Sequence, residues 1–96
     1  MKVLAIAAAA LLGLSPAVAQ DGEPIRIGSV LAATGPASFL GDPEKKTLEM
    51  YVEAINADGG VLGRPLELTV YDSGANANEA RTFATRLVED DDIVAM

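Results

Sequence analysis

The feature that most limits the fold of this chain is a regular alternation between strand patterns and helix patterns. Residues 25–31 (IRIGSVL) and 66–72 (LELTVYD) are short apolar or alternating runs, and each precedes a longer stretch with apolar residues at helical spacing. A third apolar run occupies residues 93–96. The predicted order is therefore β-α-β-α-β, which is typical of an α/β protein with a Rossmann-like parallel sheet.

The ends of the two predicted helices are marked by capping signals. The first is expected over residues 42–58, because Asp42 is a favourable N-cap and two glycines follow Asp58. Ser38 is an alternative, earlier cap for the same helix. The second is expected over residues 76–90, since it opens with the Asn-x-x-Glu spacing of a capping box.

Right-handed connections, with one helix on each face, place the three predicted strands in the order 2-1-3. Residues 25–31 are apolar on both faces in their second half, which suits a central strand, whereas residues 66–72 alternate and follow Pro65, which suits an edge. Ligands of such sheets bind beyond the carboxyl ends of the strands, where successive connections diverge. The loop at 33–41 is therefore predicted to form one wall of a ligand site.

Three side chains near the end of this loop are the candidate ligand contacts. Ser38 supplies a hydroxyl, and Phe39 and Leu40 are large apolar side chains close to glycines. The apolar pair fits the wall of a pocket and also fits a hydrophobic staple folded back onto the first helix. Asp72, at the end of the second strand, is interpreted first as a turn or cap acceptor.

Composition excludes several classes of function. The chain has 7 Lys plus Arg against 14 Asp plus Glu, a net charge of -7, whereas nucleic-acid binding requires a basic surface. It has neither Cys nor His, which excludes sites and triads that depend on them. The glycine spacing matches neither a dinucleotide-binding fingerprint nor a P-loop, and Asp90–Asp92 favours a solvated acidic turn over a metal site. No enzyme activity, cofactor or metal is expected.

Residues 1–19 have the pattern of a cleavable signal peptide. A lysine precedes an apolar run of 12 residues, a Ser-Pro break and the small residues Ala-Val-Ala. An apolar run of this length is too short for a transmembrane helix, which needs about 20 residues. Cleavage is predicted between Ala19 and Gln20, and residues 20–96 are expected in the periplasm.

The motifs along the mature chain resemble one known family. In order they are Ile27-Gly28, Thr34-Gly35-Pro36, Gly41, the run INADGGVLGR at 55–64, and Tyr71-Asp72. This order resembles the start of periplasmic substrate-binding proteins of the branched-chain amino acid (Leu/Ile/Val) type, which serve ABC transporters.

The resemblance implies a type I periplasmic binding fold, a two-lobed hinged clamp. Residues 20–96 would then be the first part of the N-terminal lobe, truncated in its third strand. In that family the loop after strand one contributes a side chain, often aromatic, to the ligand pocket. Leu40 occupies the matching place here with Phe39 beside it, and the main contacts to the ligand's carboxylate and ammonium groups are expected beyond Met96.

The function that the resemblance implies is extracytoplasmic binding of branched-chain amino acids or related small carboxylates or amides. The expected partners are this small-molecule ligand and an inner-membrane ABC permease, with no nucleic acid, and the full-length protein is expected to be a monomer. The alternative is a ligand-sensing domain of an amide- or amino-acid-responsive receptor or regulator with the same clamp. Residues 1–96 alone are not expected to bind ligand.

Overall fold

The computed structural model describes residues 22–96, so the predicted signal peptide and its cleavage site at Ala19 and Gln20 lie outside the described residues. The elements in chain order are β1 (Ile25–Leu31), α1 (Ser38–Ala57), β2 (Leu66–Asp72) and α2 (Ala77–Glu89). The α/β class and the bounds of both strands agree with the sequence prediction. Between residues 22 and 96, no helix has the length and apolar character needed to cross a membrane.

The strands β1 and β2 pair in parallel, from Ile25 opposite Leu66 to Leu31 opposite Asp72. Side chains alternate between the two faces of a sheet, so Gly28 and Leu31 belong to opposite faces. Gly28 lies against α2, and Leu31 lines a groove with α1. The two helices therefore cover opposite faces, as the sequence analysis assumed.

The predicted start of the first helix at Asp42 is wrong, and the earlier alternative is nearer, because α1 begins one turn before Asp42, at Ser38. Ala37 is the cap residue and contributes no side-chain hydrogen bond, while its carbonyl oxygen accepts the amide of Gly41 at 3.1 Å. Pro43 lies inside the helix, and Asp42 pairs with Lys46 at 2.8 Å. Tertiary packing of the first turn therefore overrides the local capping signal.

The predicted third strand, 93–96, is not formed as a strand. One parallel bridge joins Ala95 to Ile27, on the edge of β1 away from β2, and two backbone hydrogen bonds of 2.8 and 3.0 Å accompany it. The acidic turn before this segment includes Asp92 in the left-handed region, with φ 55°. The sheet of the described residues has two strands, and the order 2-1-3 stays a prediction.

The face of the sheet under α2 contains the fully buried side chain of the described residues. Leu87 is fully buried, and a Cβ at Gly28 would lie 2.7 Å from its Cδ2 atom. Beside it, the Tyr71 ring stacks on Phe83 with centroids 4.8 Å apart. The Tyr71 hydroxyl donates to Asp91 at 2.6 Å, and this bond raises the pKa of Tyr71. The acidic end of α2, which opposes the helix dipole, thereby gains a contact that the sequence did not reveal.

Hydrogen bonds hold the connection between α1 and β2 both at its base and at its tip. The side chain of Asn56 donates to the carbonyl of Leu66 at 2.8 Å and accepts its amide at 2.7 Å. At the tip, Val61 and Arg64 exchange backbone hydrogen bonds of 2.8 and 2.9 Å. Asn56 therefore joins the end of α1 to the first residue of β2.

Leu62 is held in an unfavourable backbone conformation at this tip, with φ 55° and a side chain that is 93% exposed. The left-handed region costs a leucine about 1–2 kcal/mol, whereas asparagine tolerates it better. We expect Leu62→Asn to raise the free energy of unfolding by about 0.5–1 kcal/mol, as measured by urea denaturation. Leu62→Ala, which lacks the short polar side chain that can hydrogen-bond the local backbone, should give no gain. Equal midpoints for Leu62→Asn and the original protein would contradict the strain argument.

Candidate functional site

The candidate site lies where β1 and β2 end side by side. The loop at 32–37 leaves β1, and the turn at 73–76 leaves β2. The two backbones are in close contact, since a Cβ at Gly35, which has φ +85°, would lie 2.9 Å from the carbonyl oxygen of Gly74. The loop after β1 is therefore packed against the turn after β2 rather than free in solvent.

Asp72 joins these two loops through its carboxylate. One oxygen accepts the backbone amides of Ala33, Thr34 and Gly74 at 3.0, 3.2 and 2.9 Å, and the other accepts the Thr34 hydroxyl at 2.5 Å. The interpretation of Asp72 as a turn acceptor is confirmed by its bond to Gly74. Its bonds across to the other loop could not be predicted without the strand register.

Hydrogen bonding to Thr34, followed by the bond from Gly74, lowers the pKa of Asp72 below its ordinary value of 3.8. A carboxyl group with a lowered folded pKa stabilises the fold fully above its unfolded pKa. That stabilisation is lost as the pH falls through the lower, folded value. At neutral pH the carboxylate is ionised, and the link between the loops is intact.

The three candidate ligand contacts lie together in the first turn of α1. Ser38 is half-buried and donates its amide to the Gly35 carbonyl at 3.1 Å. Phe39 is 73% exposed and Leu40 is 57% exposed. This exposure does not fit the hydrophobic staple, because a staple would bury both side chains against the helix. The pair instead forms an open apolar surface at the carboxyl edge of the sheet.

Gly41 brings this turn into contact with the end of β1. It is buried, and a Cβ at this position would lie 1.9 Å from the carbonyl oxygen of Ala32. Any residue larger than glycine would push the start of α1 away from the loop. Gly41 was predicted to lie in the loop before the helix, and only the structure places it inside α1, where a glycine is unfavourable unless close packing requires it.

A concave surface, separate from the loops described above, lies on the face of the sheet that α1 covers. It has a volume of about 470 Å³, is mostly apolar and is lined by Leu31, Pro43, Glu44, Thr47, Leu48 and Tyr51. No sequence motif points directly to this surface. Among the residues that the structure describes, no group of three or more acidic side chains could hold a metal ion.

The sequence of this chain is similar to those of known proteins. Residues 24–96 match the family model described as "Periplasmic binding protein". The "Leu/Ile/Val-binding protein homolog 7" of Brucella suis is 38% identical over 95 residues, which are 98% of this chain and 23% of that protein. The chain therefore spans about a quarter of the length of the curated relatives it matches.

Two solved structures share the fold. The branched-chain amino acid transporter substrate-binding protein LivJ from Streptococcus pneumoniae, in complex with isoleucine, superposes with a TM-score of 0.71 at 30% identity, covering 73% of this chain and 20% of that one. A fatty acid ABC transporter substrate-binding protein from Thermomonospora curvata gives a TM-score of 0.65 at 32% identity, covering 68% and 17%.

Proposed function

Because this chain belongs to the periplasmic binding protein family, we propose that it is the first part of the N-terminal lobe of an extracytoplasmic solute-binding protein. The resemblance to branched-chain amino acid binding proteins is confirmed by the relatives. The family consists of binding proteins and not enzymes, as predicted. In the proposed protein, residues 93–96 begin a third strand beside β1, in the order 2-1-3, and a second lobe closes over the carboxyl edge.

The observation that supports this role most directly is the exposed apolar pair at that edge. Phe39 and Leu40 are 73% and 57% exposed, beside the point where connections leave the sheet. Burying a leucine-sized side chain is worth about 1.5–3 kcal/mol. We propose that the pair, with Ser38, contacts the apolar body of a ligand, and that its charged groups are bound by residues outside this chain.

The ligand class is proposed from chemistry that the relatives share. Their names specify Leu/Ile/Val, isoleucine and a fatty acid. Each of these ligands joins a carboxylate to an aliphatic body. We propose a branched-chain amino acid or a related small carboxylate or amide, bound in the periplasm by a monomer and delivered to an inner-membrane ABC permease.

The direct test is calorimetric and thermal-shift titration of the protein expressed from its complete gene. The panel is leucine, isoleucine and valine, with octanoate and acetamide as representatives of the other classes. A bound ligand at 100 times its Kd stabilises the folded state by about 2.7 kcal/mol, so Tm should rise with one or more of the amino acids. If no compound on the panel binds, the proposed function is wrong.

The role of the apolar pair is tested by truncation. Leu40→Ala should raise the Kd by about 5- to 30-fold, because the lost contact is worth about 1–2 kcal/mol. Met50→Ala is the matched control, since Met50 is 59% exposed in the same helix but lies away from the edge. An unchanged Kd in both Leu40→Ala and Phe39→Ala would remove these residues from the site.

A further inference from the structure

Asp72, the last residue of β2, accepts more hydrogen bonds than its local turn requires. Its carboxylate accepts four hydrogen bonds, of which only the one from Gly74 belongs to the local turn. The other three come from Ala33 and Thr34, in the loop after β1. A turn stabilised by an aspartate needs only the local bond, so the local turn does not account for the arrangement.

The charge of Asp72 strengthens this link. Neither of the two salt bridges found within residues 22–96 includes Asp72, so its partners are backbone N–H groups and a hydroxyl. Hydrogen bonds to an ionised acceptor are about twice as strong as those between neutral groups. The lowered pKa of the Asp72 carboxyl group agrees with this, since Thr34 is its principal cause.

The segment that Asp72 holds sets the position of the apolar pair. Gly35 follows Thr34, and its carbonyl oxygen accepts the amide of Ser38 at 3.1 Å. Phe39 and Leu40 are the next two residues of α1. A displacement of the loop would therefore be transmitted to the first turn of the helix.

We propose that Asp72 is a positioning residue for the ligand site, which fixes the loop after β1 from the neighbouring strand and so holds Phe39 and Leu40 in place. This inference rests on the proposed function. Without the carboxylate, the loop would have to be ordered when ligand binds, and ordering a flexible segment lowers affinity. We expect Asp72→Ala to raise the Kd about tenfold.

The experiment uses the protein expressed from its complete gene, with isoleucine as the probe, at a temperature where each variant is folded by circular dichroism. Asp72→Ala is compared with Thr34→Val, which removes the hydroxyl at nearly constant size, and with Thr34→Ser, which keeps it. Glu67→Gln is the matched control, because it removes an exposed carboxylate from the same strand. Amide hydrogen exchange is measured on the same samples.

A positioning role predicts weaker binding for Asp72→Ala and Thr34→Val, with Thr34→Ser and Glu67→Gln near the original Kd. The amides of Ala33 and Thr34 should exchange faster in Asp72→Ala, while that of Thr69, which faces β1 in the paired strand β2, is unchanged. Original affinity in Asp72→Ala, or unchanged exchange at both loop amides, would overturn the inference and leave the proposed function intact. If the unaltered protein itself fails to bind isoleucine or any other compound on the panel, the proposed function fails and the ligand role of Asp72 fails with it.

Discussion

Gly41→Ala is expected to destabilise the protein, although the same change inside most helices is favourable. Alanine has a helix propensity about 1 kcal/mol better than glycine. Here the new Cβ would lie 1.9 Å from the carbonyl oxygen of Ala32, and backbone on both sides must move to admit it. Overpacking of this kind typically costs about 1–3 kcal/mol, and a clash between two backbones belongs at the upper end of that range. After the gain in propensity is subtracted, we expect a net loss of up to about 2 kcal/mol in the free energy of unfolding.

Urea denaturation of the protein expressed from its complete gene measures this change. Ala54→Gly, at an exposed position in the same helix, reports the propensity term alone and should cost about 0.5–1 kcal/mol. The steric cost at Gly41 is then the observed loss plus that term. A higher urea midpoint for Gly41→Ala would show that the first turn of α1 is not closely packed on the loop.

Leu87→Ala should have the largest effect on stability. Leu87 is fully buried, and truncation of a buried leucine costs about 2–5 kcal/mol, through lost transfer free energy and the cavity left behind. Urea denaturation measures the loss. Val88→Ala is the matched control, since Val88 is 59% exposed on the same helix and should change stability by less than about 0.5 kcal/mol. Equal losses in the two variants would contradict the assignment of the core.

The close contact between Gly28 and Leu87 allows a second test of this prediction. A Cβ at Gly28 would lie 2.7, 3.0 and 3.3 Å from atoms of the Leu87 side chain. Gly28→Ala alone should therefore be destabilising, but in the Leu87→Ala background the same methyl group would enter the vacated space. The two changes should be less destabilising together than the sum of their separate effects, as neighbouring sites that share a cavity usually are.

The strands were predictable because their signals are local. Apolar residues in 25–31 and the alternation in 66–72 define each strand without reference to the rest of the chain. The second helix was also predictable, since Asn76 accepts the Glu79 amide at 3.0 Å, as the capping box indicated. Its start depends only on residues three positions apart.

The start of α1 was only partly predictable, because a tertiary contact decides between the two starts that the sequence allows, near Ser38 and at Asp42. Asp42 and Pro43 form a good local start signal, but the packing of Gly41 on Ala32 extends the helix one turn toward the loop. This extension moves Ser38, Phe39 and Leu40 from the predicted loop onto a helix.

The candidate site also combines a feature that can be predicted from the sequence with one that depends on a tertiary contact. Its position at the carboxyl ends of the strands is a prediction from topology alone. The link from Asp72 to Thr34 could not be predicted in this way, because those residues are 38 positions apart and meet only through the pairing of Leu31 with Asp72. A shift of one residue in that register would carry the carboxylate to the opposite face of the sheet.

The tip between α1 and β2 is a suitable place to attach a label to this protein. Leu62 is 93% exposed. The surrounding backbone is held by the hydrogen bonds between Val61 and Arg64 and by those from the Asn56 side chain to Leu66. The tip precedes β2, so the whole length of the strand separates it from the edge where the ligand is proposed to bind. A fluorophore or surface tether attached there would stand at the opposite end of the sheet from the proposed ligand site.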